Sequence, residues 1–444
     1  MTEQVHDIAI IGGGVCGTAL LYMLTEYTDI QGIALIEKYD DVATVNSHGR
    51  NNSQTLHCGD IETNYTLEKA AKVKAAAQMV VNYSETLAER DEVIFKYPKM
   101  VLGVGEKECQ QLRERFETFK TVFTTMQLLE KEQIAEIEPN VIMVNGQMRD
   151  EPCVALAVRD EYSAVDFHRL AQTFVSESKK CVDKNLQLHL NSHVEDIIEQ
   201  GGIFSIVTQD KVIKAKTVVV SAGGHSLLLA QQMGYGLEFS CLPVAGSFYF
   251  TPPLLNGKVY TVQNDKLPFA AVHGDPDVLV EGKTRFGPTA LLLPMLERYN
   301  SKTFVEFLKV LKLDRRVFKV FWDLFKVSDI RNYIFKNFLF EVPGLRRWLF
   351  MKDARKIVPS LQLEDVSFAK GFGGVRPQLI DKKSSKLMLG EAKINPGTGI
   401  VFNMTPSPGA TSCLENAEID MRLVASRLGA NIDEDKLNRR LKAS

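Results

Sequence analysis

The chain's 444 residues include 53 lysines and arginines against 55 aspartates and glutamates, a formal net charge of −2. With 45 % hydrophobic and 24 % charged residues, this is the balance of a soluble globular protein, and it excludes the basic surplus of a general nucleic-acid binder. The length exceeds what one small core accommodates and predicts two domains, continuous or interleaved. No apolar run reaches the ~18 residues that a membrane-spanning helix needs. Seven cysteines (Cys16, Cys58, Cys109, Cys153, Cys181, Cys241 and Cys413) are scattered without a Cys-x-x-Cys pair, a set expected to stay reduced. The first strand starts within a few residues of Met1, so no signal peptide is expected and a cytoplasmic location is.

Asp7-Ile8-Ala9-Ile10-Ile11 reads as a buried strand running into Gly12-x-Gly14-x-x-Gly17. Ala19, Leu20, Met23 and Leu24 follow at helical spacing. Roughly 20 residues past Gly17, the apolar run Ile33-Ala34-Leu35-Ile36 ends in Glu37. This is a dinucleotide fingerprint in strand-turn-helix-strand context. Gly12 permits the tight turn, Gly14 lets a diphosphate approach the backbone, and Gly17 lets helix and strand pack closely. The helix N-terminus offers free N–H groups to the phosphates, and Glu37 can accept from a ribose diol.

The next stretch, 46–59, is polar and rich in turn residues, too polar for core. It follows the second strand, so it is expected at the carboxyl edge of the sheet, where ligands bind. Thr66 is a helix cap ahead of Ala70, Val73, Ala77, Val80 and Leu87 on one face. Residues 99–104 read as a strand and 112–123 as a helix. Asp166 caps a helix through Val175. A hairpin follows, with strands 194–198 and 204–207 about Gln200-Gly201-Gly202. Residues 216–224 form a buried strand ending in Ala222-Gly223-Gly224, small enough for backbone to close over a cofactor. Residues 241–295 read as strands and loops punctuated by prolines, Pro268 among them.

Residues 297–356 differ from the rest. Both tryptophans, Trp322 and Trp348, fall there, with nine phenylalanines and roughly eight more basic than acidic residues. Phe318, Phe321, Trp322 and Phe325 share one helical face beside Lys319 and Lys326. Such a helix lies in a membrane interface with rings inward and lysines at head groups, or it packs as a bundle over the second domain. The C-terminal part opens with an arginine-bearing turn, Gly371 to Gln378. Pro408-Gly409 leads into a helix from Ser412 to Leu428, whose N-terminus would stabilise negative charge.

An N-terminal fingerprint, a polar loop after the second strand, and returns to the nucleotide domain near Val218–Gly224 and Gly409 form the pattern of FAD-dependent amine and hydroxy-acid oxidoreductases. Asn51-Asn52, His57 and Asn64-Tyr65-Thr66 match, at the same spacing, a loop of the malate:quinone oxidoreductases. Ser407-Pro408-Gly409-Ala410-Thr411 looks like that family's Ser-Pro-Gly-Ala stretch. Val375-Arg376-Pro377-Gln378 resembles an arginine turn of the same enzymes and of related 2-hydroxyglutarate oxidoreductases. The chain departs from the family at Gln54-Thr55-Leu56, which stands where Gly-Thr-Gly is usual, and at Cys58-Gly59-Asp60. The resemblance implies an α/β fold: a Rossmann-like, glutathione-reductase-type FAD domain in pieces 1–90, 151–230 and 366–444. An α+β substrate domain, 91–150 and 231–365, interleaves with it and carries the helical insertion 297–356. The FAD contacts expected are Gly12, Gly14, Gly17, Glu37, Ser47, Asn52, Ser53, Val194, Ala222, Gly223, Gly409, Ala410 and Thr411. The implied activity is oxidation of malate to oxaloacetate with electrons passed to membrane quinone, by a peripheral protein on the inner face of the cell membrane. A FAD enzyme acting on 2-hydroxyglutarate or an amino acid with another acceptor is the alternative; a regulatory nucleotide-binding or membrane-docking protein is a third.

A dicarboxylate needs cations, and arginine's planar fork suits a carboxylate. Arg376 is the first candidate and Arg285 the second. Oxidising a secondary alcohol also needs a base for the hydroxyl proton, and histidine suits that role. Of eight histidines, His273, in Val272-His273-Gly274-Asp275-Pro276-Asp277, resembles the family's histidine in the strand that roofs the flavin, with Asp275 or Asp277 to orient it. His57 in the flavin-side loop is the alternative base.

Overall fold

A computed structural model describes residues 4–263, 272–388, 391–405 and 408–443. Pro268 and Ser407, singled out above, lie outside the described residues. Within strand Val5–Ile11, Ile8 to Ile11 are apolar on both faces because both are covered, the signature of a central parallel strand. It pairs in parallel with Gly32–Ile36 on one side and Val212–Val220 on the other. Asn185–His189 extends the sheet beyond Gly32–Ile36, and the hairpin Val194–Gln200/Ile203–Thr208 extends it beyond Val212–Val220. Ile400–Met404 returns late in the chain to pair in parallel with Val212–Val220. Helices Val15–Tyr27, Phe167–Lys180 and Cys413–Leu428 pack into one core on a single face of this sheet.

The expected elements form largely where their signals lie. Thr66 accepts from the Lys69 N–H and caps Leu67–Glu85, although Leu87 falls beyond that helix. Asp166 accepts from the His168 and Arg169 N–H groups and caps Phe167–Lys180. Lys99–Val104 is a strand, and the helix expected at 112–123 runs Glu106–Phe119.

A second sheet of eight strands runs Ser367–Phe368, Tyr249–Thr251, Thr284–Gly287, His273–Pro276, Lys258–Thr261, Lys99–Val104, Cys153–Val158 and Gln127–Leu129. Cys153–Val158 sits inside it, so the boundary placed at residue 151 is too early; the chain rejoins the nucleotide core at the helix capped by Asp166. An all-apolar run such as Cys-Val-Ala-Leu-Ala-Val fits either sheet, and only its partners distinguish them.

Three other local readings change. The segment bearing Arg376 is a strand, Val375–Asp381, paired antiparallel with Phe239–Ala245 in a four-stranded sheet. The turn lies just upstream, where Gly371 and Gly373 adopt positive φ of 83° and 126°. The loop 46–59 is not all surface: Gln54, Thr55 and Leu56 are buried. Gln54 is satisfied there by donating to the Gly49 carbonyl at 3.1 Å and accepting from the Val278 N–H at 3.0 Å. The C-terminal helix begins at Cys413 with Ser412 as its cap residue, after a turn through 408–412.

The basic, aromatic segment folds as four helices: Thr303–Leu311, Arg315–Lys326, Ser328–Leu339 and Arg346–Ile357. Its rings divide between the two roles open to them. Phe307, Phe340 and Phe350 are core, whereas Phe304, Phe318, Trp322, Phe325, Phe335, Phe338 and Trp348 are 43–64 % exposed. Lysines accompany the exposed tryptophans: Lys326 lies 5.6 Å from the Trp322 ring and Lys352 4.7 Å from that of Trp348. Among the described residues no helix is long and apolar enough to cross a membrane.

Candidate active site

A cavity of about 1110 Å³ runs from the carboxyl ends of the nucleotide-sheet strands to the four-stranded sheet. Ordinary small-molecule pockets measure about 300–1,000 Å³, so this one suits a large cofactor plus a second reactant.

At the nucleotide end, Gly12 has a φ of 105°, and a Cβ there would lie 2.5 Å from the Ser221 carbonyl oxygen. A Cβ on Gly14 would meet only the Ser47 hydroxyl, at 3.3 Å, so the cavity side of this backbone is open. Ser47 accepts from the Val15 N–H at 3.0 Å. Glu37 accepts from the N–H groups of Gly13 at 2.7 Å and Tyr39 at 3.0 Å, which fixes its carboxylate at the end of its strand. Burial pushes that carboxyl above its ordinary range. Asn51 donates to the Val45 carbonyl, leaving its buried Oδ1 with no partner among the described residues. The open glycine face, the spare amide oxygen and the carboxylate aimed into one elongated cavity fit a dinucleotide such as FAD.

Glu37, Ser47, Asn52, Ser53, Val194, Ala222, Gly223, Gly409, Ala410 and Thr411 line the cavity with Gly12 and Gly14. Gly17 does not: a Cβ there would lie 1.9 Å from the Gly12 carbonyl oxygen, so its role is helix–strand packing.

At the far end the cavity meets His57, Glu62, Tyr65, Lys69, Tyr260, His273 and Arg376. His57 Nδ1 is 2.7 Å from Glu62 Oε1, and its backbone N–H donates to the Thr411 hydroxyl at 3.1 Å. The other Glu62 oxygen accepts from the Gly59 N–H at 2.9 Å. Burial disfavours the Glu62 charge, but the hydrogen bond and charge of His57, with Lys99 nearby, outweigh it and hold the carboxyl below its ordinary range. This carboxylate therefore orients the imidazole with Nδ1 engaged.

Arg376 forms no ion pair with any described carboxylate. Burial lowers its pKa, opposed by the nearby phenols of Tyr65 and Tyr333. A partly buried guanidinium on a cavity wall, with no carboxylate of its own among the described residues, is a ready partner for an anion. Arg285 is placed differently: it does not line the cavity. Its guanidinium donates to the Gly49 carbonyl at 3.0 Å, pairs with Asp277 at 3.2 Å and stacks over Phe248 at 4.4 Å. An inward-facing strand position surrounded by two buried aspartates consumes its charge, so Arg285 is corrected from substrate cation to scaffold. His273 lies on the cavity, with its ring stacked 4.3 Å from Tyr260 and Nε2 3.3 Å from Asp275.

Glu62 and Lys69 were not singled out from the sequence. Glu62 lies five positions past His57 in a loop, where no periodicity marks it, and Lys69 follows the Thr66 cap as an ordinary first-turn lysine.

The family model described as malate:quinone oxidoreductase (Mqo) matches residues 4–443. The chain belongs to the malate:quinone oxidoreductase family. It is 50 % identical over 448 residues to the Campylobacter jejuni protein named "Probable malate:quinone oxidoreductase", covering 99 % of this chain and 100 % of that one. It is 48 % identical over 434 residues to the malate:quinone oxidoreductase of Helicobacter pylori, covering 97 % and 96 %. In fold this family member resembles a dithionite-reduced L-alpha-glycerophosphate oxidase from Mycoplasma pneumoniae with FAD bound, at a TM-score of 0.64 and 19 % identity over 96 % of this chain and 94 % of that one.

Proposed function

We infer that this chain oxidises malate at FAD and passes the electrons to a quinone. The observation that carries this is the family match across residues 4–443, with full-length relatives of that activity near 50 % identity. The unpaired Arg376 and the His57–Glu62 pair supply the groups that the reaction requires.

Arg376 receives one malate carboxylate in a two-point hydrogen-bonded pair. Lys69, also on the cavity and with its ammonium 4.2 Å from the Tyr65 ring, is placed to meet a second carboxylate. With Nδ1 held by Glu62, His57 accepts the hydroxyl proton at Nε2, and the ionised Glu62 stabilises the resulting imidazolium. FAD, when bound, would supply the two-electron acceptor for the carbinol hydride, and Gly12, Gly14, Glu37, Ser47, Asn52, Ser53 and the backbone at Ala222-Gly223 and Gly409-Ala410-Thr411 would hold it. We assign the base to His57 because Glu62 engages its Nδ1 at 2.7 Å and leaves Nε2 toward the substrate, whereas in His273 it is Nε2 that lies 3.3 Å from Asp275.

The test is anaerobic mixing of the yellow holoprotein with L-malate. Bleaching of the visible band, then re-oxidation by a soluble quinone faster than by air, is the expected result. Bleaching by 2-hydroxyglutarate or an amino acid but not by malate would replace the substrate.

We also propose that the four-helix arm rests on the cytoplasmic face of the membrane. Its exposed rings with adjoining lysines support this, as do seven free thiols suited to a reducing compartment. The holoprotein is expected to sediment with vesicles containing anionic lipid at low salt, and Trp322→Ser with Phe335→Ser to weaken that by at least tenfold. Sedimentation equal in parent and variant would remove the arm from this role.

A further inference from the structure

The third arm helix, Ser328–Leu339, has two faces with different surroundings. Ile330 is 8 % exposed and lines the cavity. Asn337, seven residues on and on the same face, is buried, and its Oδ1 accepts from the Ala290 N–H at 2.7 Å. Ala290, with Pro288 and Thr289, lines the cavity too. Arg331, Phe335 and Phe338, at i, i+4 and i+7, lie about 100° round the helix from Ile330 and Asn337 and are exposed. One helix, about 10 Å across with its side chains, is thus all that separates the cavity from the outward aromatic surface here.

The wall on this side is apolar: Val244, Ala245, Phe248, Pro288, Ala290 and Ile330. Arg376, on the strand beside Val244, borders this wall at one edge, with His57 and Lys69 also on the cavity. A charged dicarboxylate gains nothing from an apolar wall. A respiratory quinone, with a flat, weakly polar head and a long hydrocarbon tail dissolved in the bilayer, gains from all of it. Its head must reach the cofactor while its tail stays out of water, so it needs an apolar path continuous with the membrane-facing surface.

We infer that the tailed quinone enters along the Ser328–Leu339 helix, its head passing between Ile330 and the 288–290 segment and its tail lying on the aromatic face. This rests on the reading that the acceptor is a membrane quinone, and it adds the route. Exposure alone does not favour a protein partner here. The exposed rings sit on the same helix that walls the cavity, and the acceptor class has the matching two-part chemistry.

The test uses FAD-loaded full-length protein with two naphthoquinones of the same head, one bearing a decyl tail and one without. Ile330→Asp puts a charge on the proposed path, and Ile330→Thr is a milder polar change should the first variant fail to fold. For either variant, kcat/KM for the tailed quinone is expected to fall at least fivefold more than for the tail-free one. Quenching of the two tryptophans, Trp322 and Trp348, both on this arm, gives a second readout: the Kd of the tailed quinone rises by a similar factor. Equal losses with both quinones, or an unchanged Kd for the tailed one, would overturn the route. Failure of the parent protein to reduce either quinone while it turns over with malate and air would overturn the acceptor reading instead.

Discussion

Arg376→Ala is expected to raise the KM for malate by about two to three orders of magnitude while the protein keeps its FAD. Removing one partner of a desolvated ion pair costs about 3–5 kcal/mol, and each 1.4 kcal/mol is about a factor of ten in affinity. The guanidinium is partly buried, has no competing carboxylate among the described residues and borders the cavity, so the loss falls on the substrate that fills it. Arg376→Lys keeps the charge but loses the fork, and its KM should fall between parent and alanine variant. Steady-state kinetics with FAD content read from absorbance separates the roles. A variant that binds malate normally, or that is purified without FAD, would show that Arg376 serves the scaffold or the cofactor.

His57→Gln is expected to slow turnover by about 10²–10⁴-fold, the usual contribution of a positioned acid–base group, with a much smaller effect on KM. Glu62→Gln keeps a hydrogen-bond acceptor beside Nδ1 but removes the negative charge that supports the protonated ring. Its kcat should therefore fall, but by less than that of His57→Gln. His273→Gln is the comparison. If it abolishes turnover while His57→Gln remains active, the base is His273 and the Glu62 contact is structural.

The first strand, the glycine turn and the helix behind it were legible because local chemistry fixes them. Only small backbone fits beside Ser221 and the Gly12 carbonyl, and only an apolar run survives between two covered faces. Helix starts at Thr66 and Asp166 were legible for the same reason, since a cap is a local hydrogen bond. Pairing was not. Cys153–Val158 and Val375–Asp381 carry nothing in their own residues that names the strand beside them. Arg285 shows the same limit at the level of a side chain. Its sequence neighbours, Thr284 and Phe286, do not reveal that Asp277 and the Gly49 carbonyl meet it across space. The mixed fate of the arm's rings has a related cause, because helical spacing marks a face but not what lies against it.

The order in which the central sheet is assembled has a consequence for synthesis. Val5–Ile11 waits for Val212–Val220, and that strand in turn waits for Ile400–Met404. Loop closure over such separations is slow, and an unpaired parallel edge invites association with other chains. A nascent chain still on the ribosome therefore holds an incomplete nucleotide sheet until its final segment emerges. Gly409, Ala410 and Thr411 belong to the same late stretch, so the wall of the cofactor cavity is complete only once it has emerged.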